Sequence, residues 1–379
     1  MFQAPVRLLV ALRPSVSTGV LVSTAVSTVV FSATPFLVRG VALDFGVDLG
    51  TVGIISTAQL GGFSLATWLA GRLLRPRRRT LAVAIVLGVV ANLLSGLVGV
   101  FGLLVLLRLL SGISLGLIAW IAWAEAFGDS QRTGDIAVIG PIVGTIASPV
   151  VAVLIDRAGV DALFFVLAGL FLVPLALVHS TRLNALPPPE HGQRHRPTRA
   201  AAAILVCLGL MTTGGSAVFV YAGVIGQDNV GMSALAVSLV FAGNAIAGVP
   251  SARYRGTRKL PGLWIMVTAA CALLIGVFNE PAVFWIALTL WGFSFWMAVP
   301  GAFALLAERS RYPNERAGDA QSVMAAGRVV GPLVGGAAYA LSPATLGIVG
   351  FVVIGAAALL MVYIEWRIHP STFTDLVPA

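Results

Sequence analysis

Apolar stretches of about 20 residues recur along the whole chain, and basic residues collect in every second gap between them. A run of that length matches the helix needed to cross the hydrocarbon of a bilayer. A chain made almost entirely of such runs has to fold as a polytopic helical membrane protein. Of its 24 Lys and Arg, all but Arg39, Arg157, Arg108 and Arg328 lie at the chain ends or in the alternate gaps, the bias that marks cytoplasmic loops. The spans are predicted to start near Ser17, Thr51, Leu81, Gly102, Asp135, Ala162, Ala200, Met232, Gly262, Ala282, Gly318 and Thr345. Twelve spans and this charge alternation predict a multi-pass protein of the inner (cytoplasmic) membrane with both termini in the cytoplasm.

Bulk composition agrees: 58% of residues are hydrophobic and 10% charged, against roughly 25% charged in soluble domains. The net charge of +9 would suit nucleic acid, but the basic residues border apolar spans, where anionic headgroups attract them. Lipid is therefore the expected polyanionic partner, and nucleic acid is not. Cys207 and Cys271 lie in apolar runs without CxxC spacing and read as buried thiols. Arg7 and Arg13 precede an apolar run from about Val20 to Val38, too long for the core of a signal peptide; it reads as an uncleaved first span. No G-x-x-x-x-G-K-[ST] loop indicates a nucleotide-driven pump. A membrane enzyme would need a nucleophile–base set, a metal cluster or an intramembrane carboxylate pair, and the sequence offers none. No cofactor or metal is expected; His191 and His195 lack a completing carboxylate or cysteine. A non-transporting sensor or scaffold stays open.

One substantial polar break, Ser180 to Ala200, divides the chain into halves 1–179 and 201–379. Its three prolines and several charges read as a cytoplasmic linker. The halves echo one another at an offset of about 180 residues. Gly71 with its basic cluster answers to Gly248 with another. Gly112-Ile-Ser answers to Gly292-Phe-Ser, and Arg132-Thr-Gly-Asp135 to Arg316-Ala-Gly-Asp319. A parallel six-helix repeat implies a pseudo-two-fold axis along the membrane normal.

These features resemble the major facilitator superfamily, over nearly the whole chain. Between spans two and three, Gly71-Arg-Leu-Leu-Arg75-Pro-Arg77-Arg78-Arg79 keeps the glycine and the basic end of the family's loop signature. Arg75 stands where that signature has an acid, so a conventional gate latch is not expected. Arg108-Leu-Leu-Ser-Gly112-Ile-Ser-Leu-Gly116 matches the span-four signature. The antiporter pattern Gly-Pro-x-x-Gly-Gly is intact in span eleven as Gly331-Pro332-Leu-Val-Gly335-Gly336. Its span-five match, Gly140-Pro141-Ile-Val-Gly144, is out of register, with Ser148-Pro149 at the equivalent position. The resemblance implies twelve helices in two six-helix halves, alternating access, a monomer and secondary transport of a small or amphipathic organic molecule. Export is favoured; uptake or uniport of an organic anion or metabolite is the alternative.

Two arginines lie inside spans, where charge is costly and normally faces a cavity or a partner. Arg108 shares a face with Gly112, Gly116 and Trp120. Arg328 is ten residues into its span, about 15 Å deep at the helical rise, too deep to snorkel. Each is a substrate-binding candidate, against a packing arginine bonded to carbonyls, which Pro332 would supply for Arg328. No Asp, Glu or His falls at mid-span, so proton coupling would rest on peripheral acids, Glu125 or Asp135. Further cavity-lining candidates are Thr34, Gln59, Tyr221, Asn244, Trp120 and Trp296, against interhelical hydrogen bonding or interface belts. Gly71, Arg75, Arg77, Arg78, Gly112, Gly116, Pro141, Pro149, Gly331, Pro332 and Gly335 are the candidates for gating and bending.

Overall fold

The computed structural model describes residues 16–126, 130–181, 195–252, 254 and 258–367. Most of the expected linker, and Arg7, Arg13 and His191, lie outside them. Among the described residues there is no strand. The helices are α1 (Thr18–Phe45), α2 (Leu49–Leu73), α3 (Arg78–Ser95) and α4 (Phe101–Ala126). A longer helix, Ser130–Leu177, is interrupted at Gly159, where φ is 80°. That left-handed backbone suits glycine alone, and it separates two arms, α5 (130–158) and α6 (160–177). After the linker come α7 (Arg199–Val224), a π-turn at Ile225–Asn229, α8 (Ala234–Ala252) and α9 (Pro261–Val277). The chain ends with α10 (Pro281–Glu308), α11 (Pro313–Leu341) and α12 (Pro343–Arg367).

Ten of the helices are long and apolar enough to cross a membrane. The 43-residue stretch Val138–Ser180 counts there once although it holds parts of both α5 and α6, and Pro261–Val277 is a shorter apolar helix of 17 residues. With the two arms counted separately and Pro261–Val277 included, a helix stands among the described residues at each of the twelve expected positions. Four helices, α9 to α12, open on a proline, whose missing N–H is unused at the first helical position. Thr198 caps α7 by accepting from the Ala201 amide.

By contact the chain forms two compact units: Met1–Ala33 with Gly62–Pro189, and Thr34–Gly61 with Glu190–Ala379. The second parts of α1 and α2's first turns belong with α7–α12, because their small residues pack there. Gly223 on α7 lies against the Pro35 carbonyl, Gly336 on α11 against the Gly50 carbonyl, and Phe36 meets Phe241 edge-on at 5.2 Å.

In the first unit α3 is the hub, packed on α4 and on the α5–α6 pair. In the second, α7 packs on α11 and α12, α9 on α10 and α12, and α8 on α10. Lipid tails are as apolar as leucine, so helices associate through close backbone approach. Gly335 rests on the Ala217 carbonyl, and Gly292 on Asn244.

Candidate functional site

Arg108 and Arg328 occupy different kinds of surroundings. Arg108 is 1% exposed. One terminal nitrogen donates to Asn92 Oδ1 at 3.2 Å; the other donates to Ser95 Oγ at 2.5 Å and to the Ala91 carbonyl at 3.4 Å. Its guanidinium carbon stands 4.5 Å over the Phe164 ring. Only Nε lacks a partner. Asn92 and Ser95 are themselves buried, on the α3 face turned to α4. The side chain therefore joins α3, α4 and α6, in the manner of the packing arginine weighed above. The signature row does not stay on one side of α4: Gly116 packs on α2 at the Phe63 carbonyl. Eight residues at 3.6 per turn drift by roughly 80°. Gly112 is buried beside it, and Trp120 is half-buried.

Arg328 is half-buried and, among the described residues, makes no hydrogen bond or ion pair. Its direction follows from the three faces of α11. Gly327, Gly331 and Gly335 lie against α7, at Thr212, Thr213 and Ala217. Val329 and Gly336 face α2: the Val329 carbonyl accepts from Thr57 Oγ1 at 3.3 Å, and Gly336 meets Gly50. Val330, Leu333 and Leu341, 47%, 48% and 78% exposed, form the outward apolar row. At about 100° per residue, Arg328 falls between the α7-facing and α2-facing rows and roughly opposite the apolar one. Pro332 has no N–H to return to the Arg328 carbonyl, yet the guanidinium does not turn back onto freed backbone.

Other candidates are committed to interhelical bonds. Tyr221 is fully buried. Its hydroxyl donates to the Gly50 carbonyl at 3.0 Å, with the Pro332 carbonyl at 3.5 Å, and its ring stacks on Tyr339 at 5.2 Å. Asn244 Nδ2 donates to the Leu288 carbonyl at 2.7 Å, tying α8 to α10. Trp296 presses its indole on Gly248. Gln59 is buried, on the side of α2 away from the Gly53–Thr57–Gly61 row that meets α11. Thr34 is half-buried and, among the described residues, makes no side-chain hydrogen bond.

Sequence reasoning missed a contact set at the π-turn after α7. Arg39 Nε pairs with Asp228 Oδ1 at 3.1 Å, and its terminal nitrogen reaches Gln227 at 3.5 Å. Tyr339 reaches Asn229 at 3.5 Å. The signal was the polar Gln227-Asp228-Asn229 triplet after an apolar run.

At the other end, the basic loops are bonded within their own units. Glu125 accepts from the Ser17 amide and hydroxyl at 2.7 and 2.8 Å and so caps α1. Arg78 Nε donates to the Thr181 carbonyl at 2.7 Å. Arg75 lends its carbonyl to Thr80, and Arg77 is the exposed N-cap of α3. Gly71 lies in the last turns of α2, and Asp135 is half-buried near the start of α5. Arg316 pairs with Asp319 at 2.6 Å and donates to the His195 carbonyl at 2.6 Å. In α5, Pro141 is buried, its carbonyl accepting from Thr145 at 2.8 Å, and Pro149 is half-buried. Among the described residues no cluster of metal-ligating side chains occurs.

Among curated proteins none matches this chain by sequence. Solved structures of similar fold include the nucleoside transporter NupG, with TM-score 0.70 at 11% identity over 93% of this chain and 99% of that one. A bacterial homologue of the human lysosomal transporter Spinster aligns with TM-score 0.69 at 12% identity, covering 95% and 98%. The human organic anion transporter MFSD10 aligns with TM-score 0.60 at 15% identity, covering 92% and 96%. The sequence model of the Major Facilitator Superfamily matches residues 19–336. With that match over most of its length, the chain belongs to the major facilitator superfamily, a family of transporters and not of enzymes.

Proposed function

We propose that the chain is a secondary carrier that moves a small or amphipathic organic molecule out of the cell across the cytoplasmic membrane by alternating access, as a monomer with both termini in the cytoplasm. The observation that carries this reading is the match of the transporter family's sequence model over residues 19–336. Within the second unit, 34–61 is held by the Tyr221 hydroxyl, by Gly336 and by the Arg39–Asp228 pair. The intact Gly331-Pro332-x-x-Gly335-Gly336 pattern supports export. The basic loops set orientation and meet anionic headgroups. The peripheral acids Glu125 and Asp135 are the coupling candidates, and Glu125 holds the start of α1 through the Ser17 amide and hydroxyl.

The structural neighbours differ in what their names say they carry, a nucleoside in one case and organic anions in another; the fold alone does not choose between them. The test is solute flux into proteoliposomes holding the purified chain. Flux that saturates and shows counterflow is expected; ligand binding without any flux would make it a sensor instead. Faster flux in the direction of export, in oriented vesicles, separates the exporter from the uptake alternative.

A further inference from the structure

Arg328 is a charge in the middle of a membrane span that no described residue neutralises. Every described Asp and Glu of its unit sits within about two turns of a helix end: Asp44, Asp48, Asp228, Glu280, Glu308, Asp319 and Glu365. Two of them are already paired, Asp228 with Arg39 and Asp319 with Arg316. Arg108 shows how this chain satisfies an arginine it uses for packing, with an amide, a hydroxyl, a carbonyl and an aromatic face. Arg328 has none of these, and it is half-buried rather than sealed. Its direction between the α7-facing and α2-facing rows points it away from the apolar row, which closes the lipid route. An ion at that depth without a partner is costly in any state that lacks a ligand.

We infer that Arg328 is the recognition point for the negatively charged group of an organic anion, and that this carrier's cargo is anionic. The inference rests on the carrier reading above and deepens it. A guanidinium presents paired N–H donors in a planar fork that matches a carboxylate, sulfonate or phosphonate with two parallel hydrogen bonds. Ser216 on α7 packs against Gly331, less than one turn from Arg328 along α11, and is half-buried with no side-chain hydrogen bond among the described residues. It adds a hydroxyl on the α7 side of the same region. The Arg328 carbonyl, left without its helical donor by Pro332, adds an acceptor. Together they suit an anion that also carries a donor group.

The test uses the full chain in lipid nanodiscs. Benzoate, benzenesulfonate and phenylphosphonate are compared with benzamide, benzyl alcohol and benzyltrimethylammonium, by melting temperature and by calorimetry. Anions are expected to bind and to raise the melting temperature, and the other three are not. Arg328→Gln should melt like the parent without ligand, because no protein bond is lost, and should bind the anions roughly 10- to 100-fold more weakly. Arg328→Lys keeps the charge but not the fork and should recover part of that loss. Equal anion affinity in Arg328→Gln overturns the inference, as does binding confined to the neutral or cationic probes, or binding of none. Unfolding of both variants overturns it too, by making Arg328 structural. Flux of a neutral or cationic solute that survives in Arg328→Gln leaves the carrier standing and removes the anion. Anion binding on Arg328 with no flux of any solute removes the carrier and keeps the site.

Discussion

Arg108 and Arg328 are the same residue at comparable positions inside apolar spans, and the chain treats them in opposite ways. Around Arg108, α3 brings Asn92 and Ser95, themselves buried, to meet the guanidinium, and α6 lays Phe164 beneath it. Around Arg328, the neighbouring residues of α11 are spent on close backbone contact: glycines toward α7 on one side, Val329 and Gly336 toward α2 on the other. One charge is built into the packing and the other is left over from it. A buried polar group is tolerated when its bonds are made; one whose bonds are not made raises the question of what makes them. The first unit thus holds its charge as structure, and the second leaves its charge without a partner among the described residues.

Removing each arginine should break or confirm that contrast, with the largest effect at Arg108. Arg108→Ala opens a cavity and strands Asn92 Oδ1 in the interior, while Ser95 Oγ keeps its bond to the Ala91 carbonyl. By analogy with other large-to-small core changes and unsatisfied buried groups, the loss is about 3–5 kcal/mol. In thermal unfolding of the purified protein it should lower the melting temperature far more than Arg328→Gln, whose change should stay within about 1 kcal/mol. Equal losses would erase the distinction between the two sites.

A second, smaller effect sharpens the contrast by moving the α2 wall beside Arg328. A side chain at Gly53 would collide with the Tyr221 hydroxyl and the Pro332 carbonyl. Gly53→Val should therefore detach 34–61 from the second unit. Spin labels at Leu43 and Ser233, both exposed, should report longer separations. Tyr221→Phe deletes only the 3.0 Å bond to the Gly50 carbonyl. At about 0.5–1.5 kcal/mol per hydrogen bond, it should shift the same distribution partway. No shift in Gly53→Val would mean that these contacts do not hold the segment in place.

The sequence showed the spans because their signal is one-dimensional: length and apolarity fix a crossing helix whatever its neighbours. Even the short α9 and the arms joined at Gly159 start close to Gly262 and Ala162, as expected. The depth of Arg328 was legible for the same reason, by counting from Gly318. Which polar residues bond to one another was not. Asn244 and Tyr221 in apolar runs announce a need for partners without naming them, and the partners, Leu288 and Gly50, offer only backbone carbonyls that every residue has. The allegiance of 34–61 was hidden too, since it depends on glycines of α7 and α11 lying far along the chain. That Arg108 would find partners was not legible, because Asn92 and Ser95 belong to a different helix.

The smallest effect sits at the start of the α2 segment that borders Arg328. Asp48 accepts from the Thr51 amide at 2.9 Å and from the Thr51 hydroxyl, so it caps α2. The Thr51 hydroxyl first, and then the Thr51 amide, hold its carboxyl below the ordinary carboxylate range. With the folded pKa depressed, the cap's contribution is complete above the unfolded value of about 3.9 and is lost as pH falls through the folded one. Asp48 is exposed to solvent, so screening keeps the effect at the low end for a cap, about 0.5 kcal/mol. Asp48→Ala should melt slightly below the parent at pH 7, by the same margin at pH 6, and the margin should close in melts taken below about pH 4. A margin that held unchanged at low pH would show that the carboxylate's charge has no part in the cap, and that the α2 wall beside Arg328 is held by its packing on α7 and α11 alone.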